Sequence, residues 1–271
     1  MITLTLKEQP SVPLEAESFS PDIIAGLPPE AVAALPVYLG KRQVHVDDFF
    51  KVEGAPGEDL EIRGDAAKVK WIGRGMSRGR ILIQGNAGMH LGSGMKGGTI
   101  EVSGNASDWV GAEMSNGLIR IRGNAGGQVG AAYRGSMKGM KGGIILIDDG
   151  AGLEVSMRMR RGIIAIRGPV RDFAGLQMKG GTLFLLGGAE IRTGAWMIRG
   201  TIVSLVPLQL LPTFSFAANY SPTFLRLYAR RLQALGITIP FDMHSGSYQR
   251  YSGDAAVPGK GEILVWQSHA S

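Results

Sequence analysis

The sequence contains no cysteine, which removes disulfide scaffolds, thiol nucleophiles, Cys-ligated zinc and iron–sulfur clusters together. Charged residues are sparse, at 19%, and aromatic residues make up 7%; 29 basic against 23 acidic side chains leave a net charge of +6. Met1 to Lys7 has neither the basic n-region nor the apolar h-region of a signal peptide, so a cytoplasmic protein is expected. What is abundant is glycine, 41 of 271 residues, without the Gly-X-Y period of collagen. The 44% hydrophobic content suffices for a sizeable core, in one large domain or two small ones.

The glycine is explained by a repeat of 19 residues. Copies begin at Ile81, Ile100, Ile119, Ile145, Ile164 and Leu183, and a degenerate one precedes them over residues 60–79. Methionine recurs at 76, 95, 114, 140, 159, 178 and 197, with a glycine three residues after each. Every step is 19 except one of 26, and the seven extra residues fall within 130–140, leaving the register on both sides intact. They read as a loop insertion.

Each copy opens with an apolar-x-apolar pair, such as Ile81/Ile83, Ile100/Val102 and Ile145/Ile147, the alternation of a strand with one buried face. A bend follows, as at Gly85-Asn86 or Gly168-Pro169, then a second inward position at Ile72, Leu91, Val110, Val129, Val155, Ala174 and Thr193, then the methionine and its glycine. Nineteen residues leave no room for a βα crossover. The expected fold is therefore all-β: a right-handed parallel β-helix of roughly eight coils, since left-handed β-helices run in multiples of six residues.

Open coil ends require caps of another character. The expected organisation is an N-terminal cap or arm over 1–40, rich in proline and with a short helix around Glu30 to Leu35; the β-helix over 41–205; and a C-terminal cap over 206–271. That last segment holds a helix over 221–235, with Ser221 and Pro222 as N-cap and first helical residue, and short strands at Ile237–Ile239 and 259–266. Thr201 to Leu225 carries no charge, but Pro207, Pro212 and Pro222 break it, so a packed loop is expected rather than a membrane span. Outward-facing Phe184, Leu186 and Trp196 are expected to leave apolar surface for a partner to cover.

No catalytic constellation emerges. The run Gly92 to Gly98 satisfies no phosphate-loop spacing, and its glycines recur as corners. His45, His90, His244 and His269 show no metal-ligand spacing, and no metal site is expected. Asp148-Asp149 is the one acidic doublet in the repeat copies, with Asp149 at a bend. Basic residues are more regular: Arg78, Lys96, Lys141, Arg160 with Arg161, Lys179 and Arg199 stand between the ladder methionines and their glycines. Stacked, they form a candidate rail for an elongated polyanion.

The pattern Gly85-Asn86-Ala87-Gly88 to Gly92, repeated at Gly123 to Gly130, resembles the C subunit of formylmethanofuran dehydrogenase. So does the tail, Tyr248-Gln249-Arg250-Tyr251-Ser252-Gly253-Asp254 followed by Gly259 to Leu264. The family has two settings, an archaeal tungsten or molybdenum dehydrogenase and a bacterial formyltransferase/hydrolase complex acting with tetrahydromethanopterin and a furan carrier. This cysteine-free chain looks more like the bacterial C subunit. A similar glycine pattern occurs in the β-helix domain of glutamate synthase.

The resemblance implies a non-catalytic scaffold partnered by an amidohydrolase-like metal subunit, a formyltransferase-like subunit and one further subunit. It implies no covalent cofactor, but a methanofuran-like carrier shared with the partners, whose glutamate chain suits the rail of Lys96, Lys141, Arg160, Arg161, Lys179 and Arg199. Neither nucleic acid nor membrane is expected as a partner. The competing class, a stand-alone β-helical enzyme on an acidic polymer, would need a calcium-binding carboxylate cluster beside an arginine, and the coils supply none.

Overall fold

The computed structural model describes residues 1–240, 243 and 246–267; His244 and His269 lie outside them. The chain is mostly β with few helices, and its dominant feature is one large, mostly parallel sheet. Thirteen of the described strands join it. Through its centre, the repeat copies pair in parallel and in register: Ile81 with Ile100, Ile100 with Ile119, Ile119 with Ile145, Ile145 with Ile164, Ile164 with Leu183, and Leu183 with Ile202. The 26-residue step is thus absorbed between two strands that still pair directly, as expected of a loop insertion.

Two further columns follow the same spacing. Ala66, Ala87, Ala106, Ala125, Ala151, Val170 and Ala189 bridge in parallel along a second side. On a third, the amide after each methionine donates to the carbonyl of the methionine one coil earlier, as in Lys96 to Met76 (2.7 Å) and Lys179 to Met159 (2.7 Å).

The methionine and glycine ladders have one cause. All seven methionines are fully buried. Each corner glycine has positive φ, such as +78° at Gly98 and +103° at Gly162. A Cβ on Gly98 would lie 2.5 Å from the Met76 Cε, and one on Gly143 2.7 Å from the Met114 Cε. The thioether of one coil therefore occupies the space a side chain would need at the next corner, so the two residue types repeat together.

Both ends of the sheet are built differently. Ile2–Leu6 pairs in parallel with Asp59–Arg63, extending the ladder, and antiparallel with Phe50–Gly54 at the sheet's edge. Short helices at Pro21–Ile24, Pro29–Ala33 and Val46–Phe49 pack nearby. At the far end Arg199–Ser204 pairs in parallel with Gly261–Trp266, followed antiparallel by Tyr248–Gly253 and Ser215–Tyr220. No helix among the described residues is long and apolar enough to cross a membrane.

Three local expectations are corrected. The C-terminal helix spans Leu225–Ala234, entered through i→i+3 turns from Pro222, Thr223 and Phe224, so Ser221 does not cap it; Gly236 at φ +81° ends it. Ile237–Ile239 is not a strand: both isoleucines are buried beneath that helix instead. Phe184 is also fully buried, because the helix lies across the outer face of the sheet. Leu225, Ala229 and Leu232 cover Leu146, Ala165, Phe184, Val203 and Leu264, so these strands bury both faces rather than one. Trp196 remains 46% exposed.

The helix is fastened by charge. The buried Arg120, on the same outer column, pairs with Asp148 (Nη2–Oδ2 2.9 Å) and donates to the carbonyl of Leu235, with the Gly236 carbonyl at 3.4 Å. Arg167 donates to the Gly236 carbonyl at 2.9 Å. Two guanidinium groups thus satisfy the orphan carbonyls at the helix C-terminus, where its dipole favours cations. Arg122 also approaches Asp148, at 3.2 Å, so the doublet Asp148-Asp149 contributes one structural carboxylate.

Candidate functional site

The corner between each methionine and its glycine is fixed by backbone bonds to the coil below, which places the residues there in line along the stack. Lys96, Lys141, Arg160, Arg161 and Arg199 are exposed on it, and among the described residues none of them forms an ion pair. Arg78 lies 3.8 Å from Glu58. Lys179 differs: it is half-buried and its Nζ donates to the Met137 carbonyl at 3.3 Å. Burial, then the Arg160 and Arg158 charges, holds its ammonium below the usual lysine range. With neighbouring parallel strands ~4.8 Å apart, these exposed cations follow one another with few ion-pair partners among the described residues.

A second feature is not evident from the sequence. The residue before each inward position, Trp71, His90, Trp109, Gln128, Glu154, Phe173 and Arg192, takes a left-handed conformation, with φ between +56° and +67°. Non-glycine residues seldom do so. Their side chains stack on the surface: Trp71 on His90 at 4.0 Å and 10°, Gln128 on Glu154 through a 3.0 Å hydrogen bond, and Arg192 over the Phe173 ring at 4.1 Å. The signal available was the 19-residue spacing of Trp71, His90 and Trp109.

The insertion joins this column. Tyr133 stacks on Trp109 at 4.8 Å, and its hydroxyl lies 2.9 Å from His90 Nδ1 and 2.8 Å from Ser93 Oγ. Its backbone N–H donates to Glu113 Oε1 at 3.1 Å. Recesses of about 350 and 300 Å³ flank the tyrosine, the first beside Trp71, Arg74 and Glu113, the second beside Trp109, Arg134 and Glu154. Burial, then the Lys70 charge, pushes the His90 imidazole down to about 4. Ser93, Tyr133 and His90 thus form one polar cluster that ties the inserted loop to the column.

Among the described residues one group could hold a metal ion, the exposed His45, Asp47 and Asp48. The carboxylate of Asp48 accepts the His45 backbone N–H at 2.9 Å, which accounts for the cluster as the cap of a short helix.

No family model matches the chain. It is similar to the C subunit of the tungsten-containing formylmethanofuran dehydrogenase 2 of Methanothermobacter thermautotrophicus, at 39% identity over 95 residues; that match spans 33% of this chain and 35% of the relative. The corresponding protein of Methanococcus maripaludis is 46% identical over 256 residues, 93% of this chain and 91% of the relative. Among solved structures, a chain of the formyltransferase/hydrolase complex (FhcABCD) from Methylorubrum extorquens, in complex with methylofuran, superposes with a TM-score of 0.89 at 32% identity, covering 98% of this chain and 100% of that one. The chain belongs to the family of formylmethanofuran dehydrogenase C subunits.

Proposed function

We propose that this chain is the C subunit of a cytoplasmic formyltransferase/hydrolase complex in tetrahydromethanopterin-linked one-carbon metabolism. It is a non-catalytic scaffold: a right-handed β-helix of roughly eight coils, capped by 1–40 and 206–271. It holds an amidohydrolase-like metal subunit, a formyltransferase-like subunit and one further subunit. The observation that carries this reading is the superposition over nearly the whole of both chains on a component of FhcABCD with methylofuran. The near-full-length match to the Methanococcus maripaludis protein supports a second reading, the C subunit of a tungsten-containing dehydrogenase.

In either setting the basic corner is read as a tether for a furan carrier with a glutamate chain. Arginines can take carboxylates bidentately, whereas lysines act as point charges, and many weak contacts along a row are salt-sensitive. Changing Lys96, Lys141, Arg160 and Arg161 together to serine is expected to leave the assembly intact and release the carrier at lower salt than wild type. Carrier retention unchanged across a salt titration would place the tether elsewhere.

A further inference from the structure

We propose that a partner subunit docks an acidic segment in the groove between the C-terminal helix and the residues that follow it, where Arg226 and Arg230 take two of its carboxylates. The proposal rests on the reading of this chain as a subunit, and it names a surface and the chemistry of the contact. It uses none of the residues of the basic corner.

The helix Leu225–Ala234 turns its apolar residues to the sheet, with Leu225, Ala229 and Leu232 buried. Arg226, Arg230 and Gln233 then fall along one flank, because positions three and four apart share a side of a helix. Ile239 and Pro240 face that flank, and a recess of about 570 Å³ lies between the two. Its floor is apolar, formed by the buried Ala229 and Ile239, while both arginines and Gln233 are exposed. The α-carbons of Arg226 and Arg230 are ~6 Å apart along the axis. That spacing matches two carboxylates one helical turn apart on a partner, with an apolar side chain between them reaching the floor.

The charge of this flank is one-sided. No acidic residue occurs in the sequence between Glu190 and Asp242. Among the described residues, Arg226, Arg230 and Arg231 form no ion pair. Arg231 has a local reason for its place, since it stands in the last turn of the helix, where the dipole favours a cation. Arg226 has the opposite position: it stands in the first turn, where the dipole disfavours a cation and no acidic side chain offsets it. A carboxylate supplied from outside would convert both groove arginines into charge-assisted, bidentate contacts. Arginine is also among the residue types that dominate binding energy at protein interfaces. A membrane surface fits less well, because the apolar face of the helix is already buried against the sheet.

The test uses the full-length chain, free and purified together with its co-assembled subunits. The chain has no cysteine, so Gln233→Cys and Ala234→Cys each give it a single thiol, one in the groove and one on the exposed crest of the helix. Maleimide labelling, read on this chain by mass spectrometry, should slow about tenfold or more on assembly for Gln233→Cys and little for Ala234→Cys. Arg226→Glu with Arg230→Glu should roughly halve the salt concentration at which a partner subunit leaves the particle. Arg231→Glu should leave that concentration unchanged, Arg226→Lys with Arg230→Lys should retain most of it, and thermal unfolding of the free chain should be alike in all of them. A stable particle in which Gln233→Cys labels as fast as in the free chain would overturn the groove and leave the subunit reading standing. A chain that purifies without partners would overturn both. Equal losses from Arg231→Glu would overturn the groove in favour of diffuse charge. Protection in a particle made only of copies of this chain, or binding to anionic lipid vesicles that the double glutamate variant abolishes, would overturn the assignment to a partner subunit.

Discussion

Met159→Asp is expected to lower stability by about 4 kcal/mol or more: roughly 2–5 for the lost buried side chain, with a further penalty for placing a carboxyl among apolar neighbours. Met159 is fully buried, and its Cε sits where a Cβ on Gly181 would come within 2.7 Å. Since whole domains are stable by ~5–15 kcal/mol, the variant should unfold about 10 °C or more below wild type or fail to accumulate folded. Asn116→Ala, an exposed change at the corner of another coil, should stay within about 0.5 kcal/mol. Chemical and thermal unfolding of the two variants provide the check, and similar small losses in both would rule out the interlocked ladders.

Arg120→Ala should cost about 3–5 kcal/mol, the usual consequence of removing one partner of a buried ion pair. Asp148 would retain Arg122 at 3.2 Å and Arg167 at 3.8 Å, which favours the lower end of that range. The more diagnostic effect is local. Without the Arg120 fork, the carbonyls of Leu235 and Gly236 lose a donor and the helix Leu225–Ala234 is held by apolar contact and Arg167 alone. Amide exchange over residues 225–235 should accelerate more than exchange in the strands. Arg120→Lys should rescue this only in part, since an ammonium cannot serve a carboxylate and a carbonyl in fork geometry. Unchanged helix protection in Arg120→Ala would show that packing alone holds the helix.

The parts of this fold legible in the sequence are those in which each coil meets an identical neighbour. Met95 and Gly117 recur because Met95 Cε fills the place of a Cβ at Gly117, and the same contact is remade at every rung, so composition, spacing and packing carry one message. The covering of the outer face was not legible. Arg120, Leu146, Ala165, Phe184 and Val203 occupy one column under a helix more than a hundred residues away from Arg120, and no local period encodes that contact. Phe184 therefore reads as exposed in the sequence. The surface column from Trp71 to Arg192 is hidden for another reason: its backbone conformation repeats while its chemistry does not, and Tyr133, which binds to it, lies in the one segment outside the repeat. The basic corner is visible because charge does repeat there, but the engagement of Lys179 by the Met137 carbonyl depends on the path of the inserted loop.

Whether this chain works as a scaffold within a carrier-dependent enzyme assembly is decided by the composition of the native particle. Purification from the source organism under mild salt, followed by native mass spectrometry, reads that composition. A stable hetero-oligomer is expected, in which this chain accompanies an amidohydrolase-like metal subunit, a formyltransferase-like subunit and a further subunit, with no turnover by this chain alone. Recovery of the chain as a free monomer, or as a species active by itself, would refute the scaffold role.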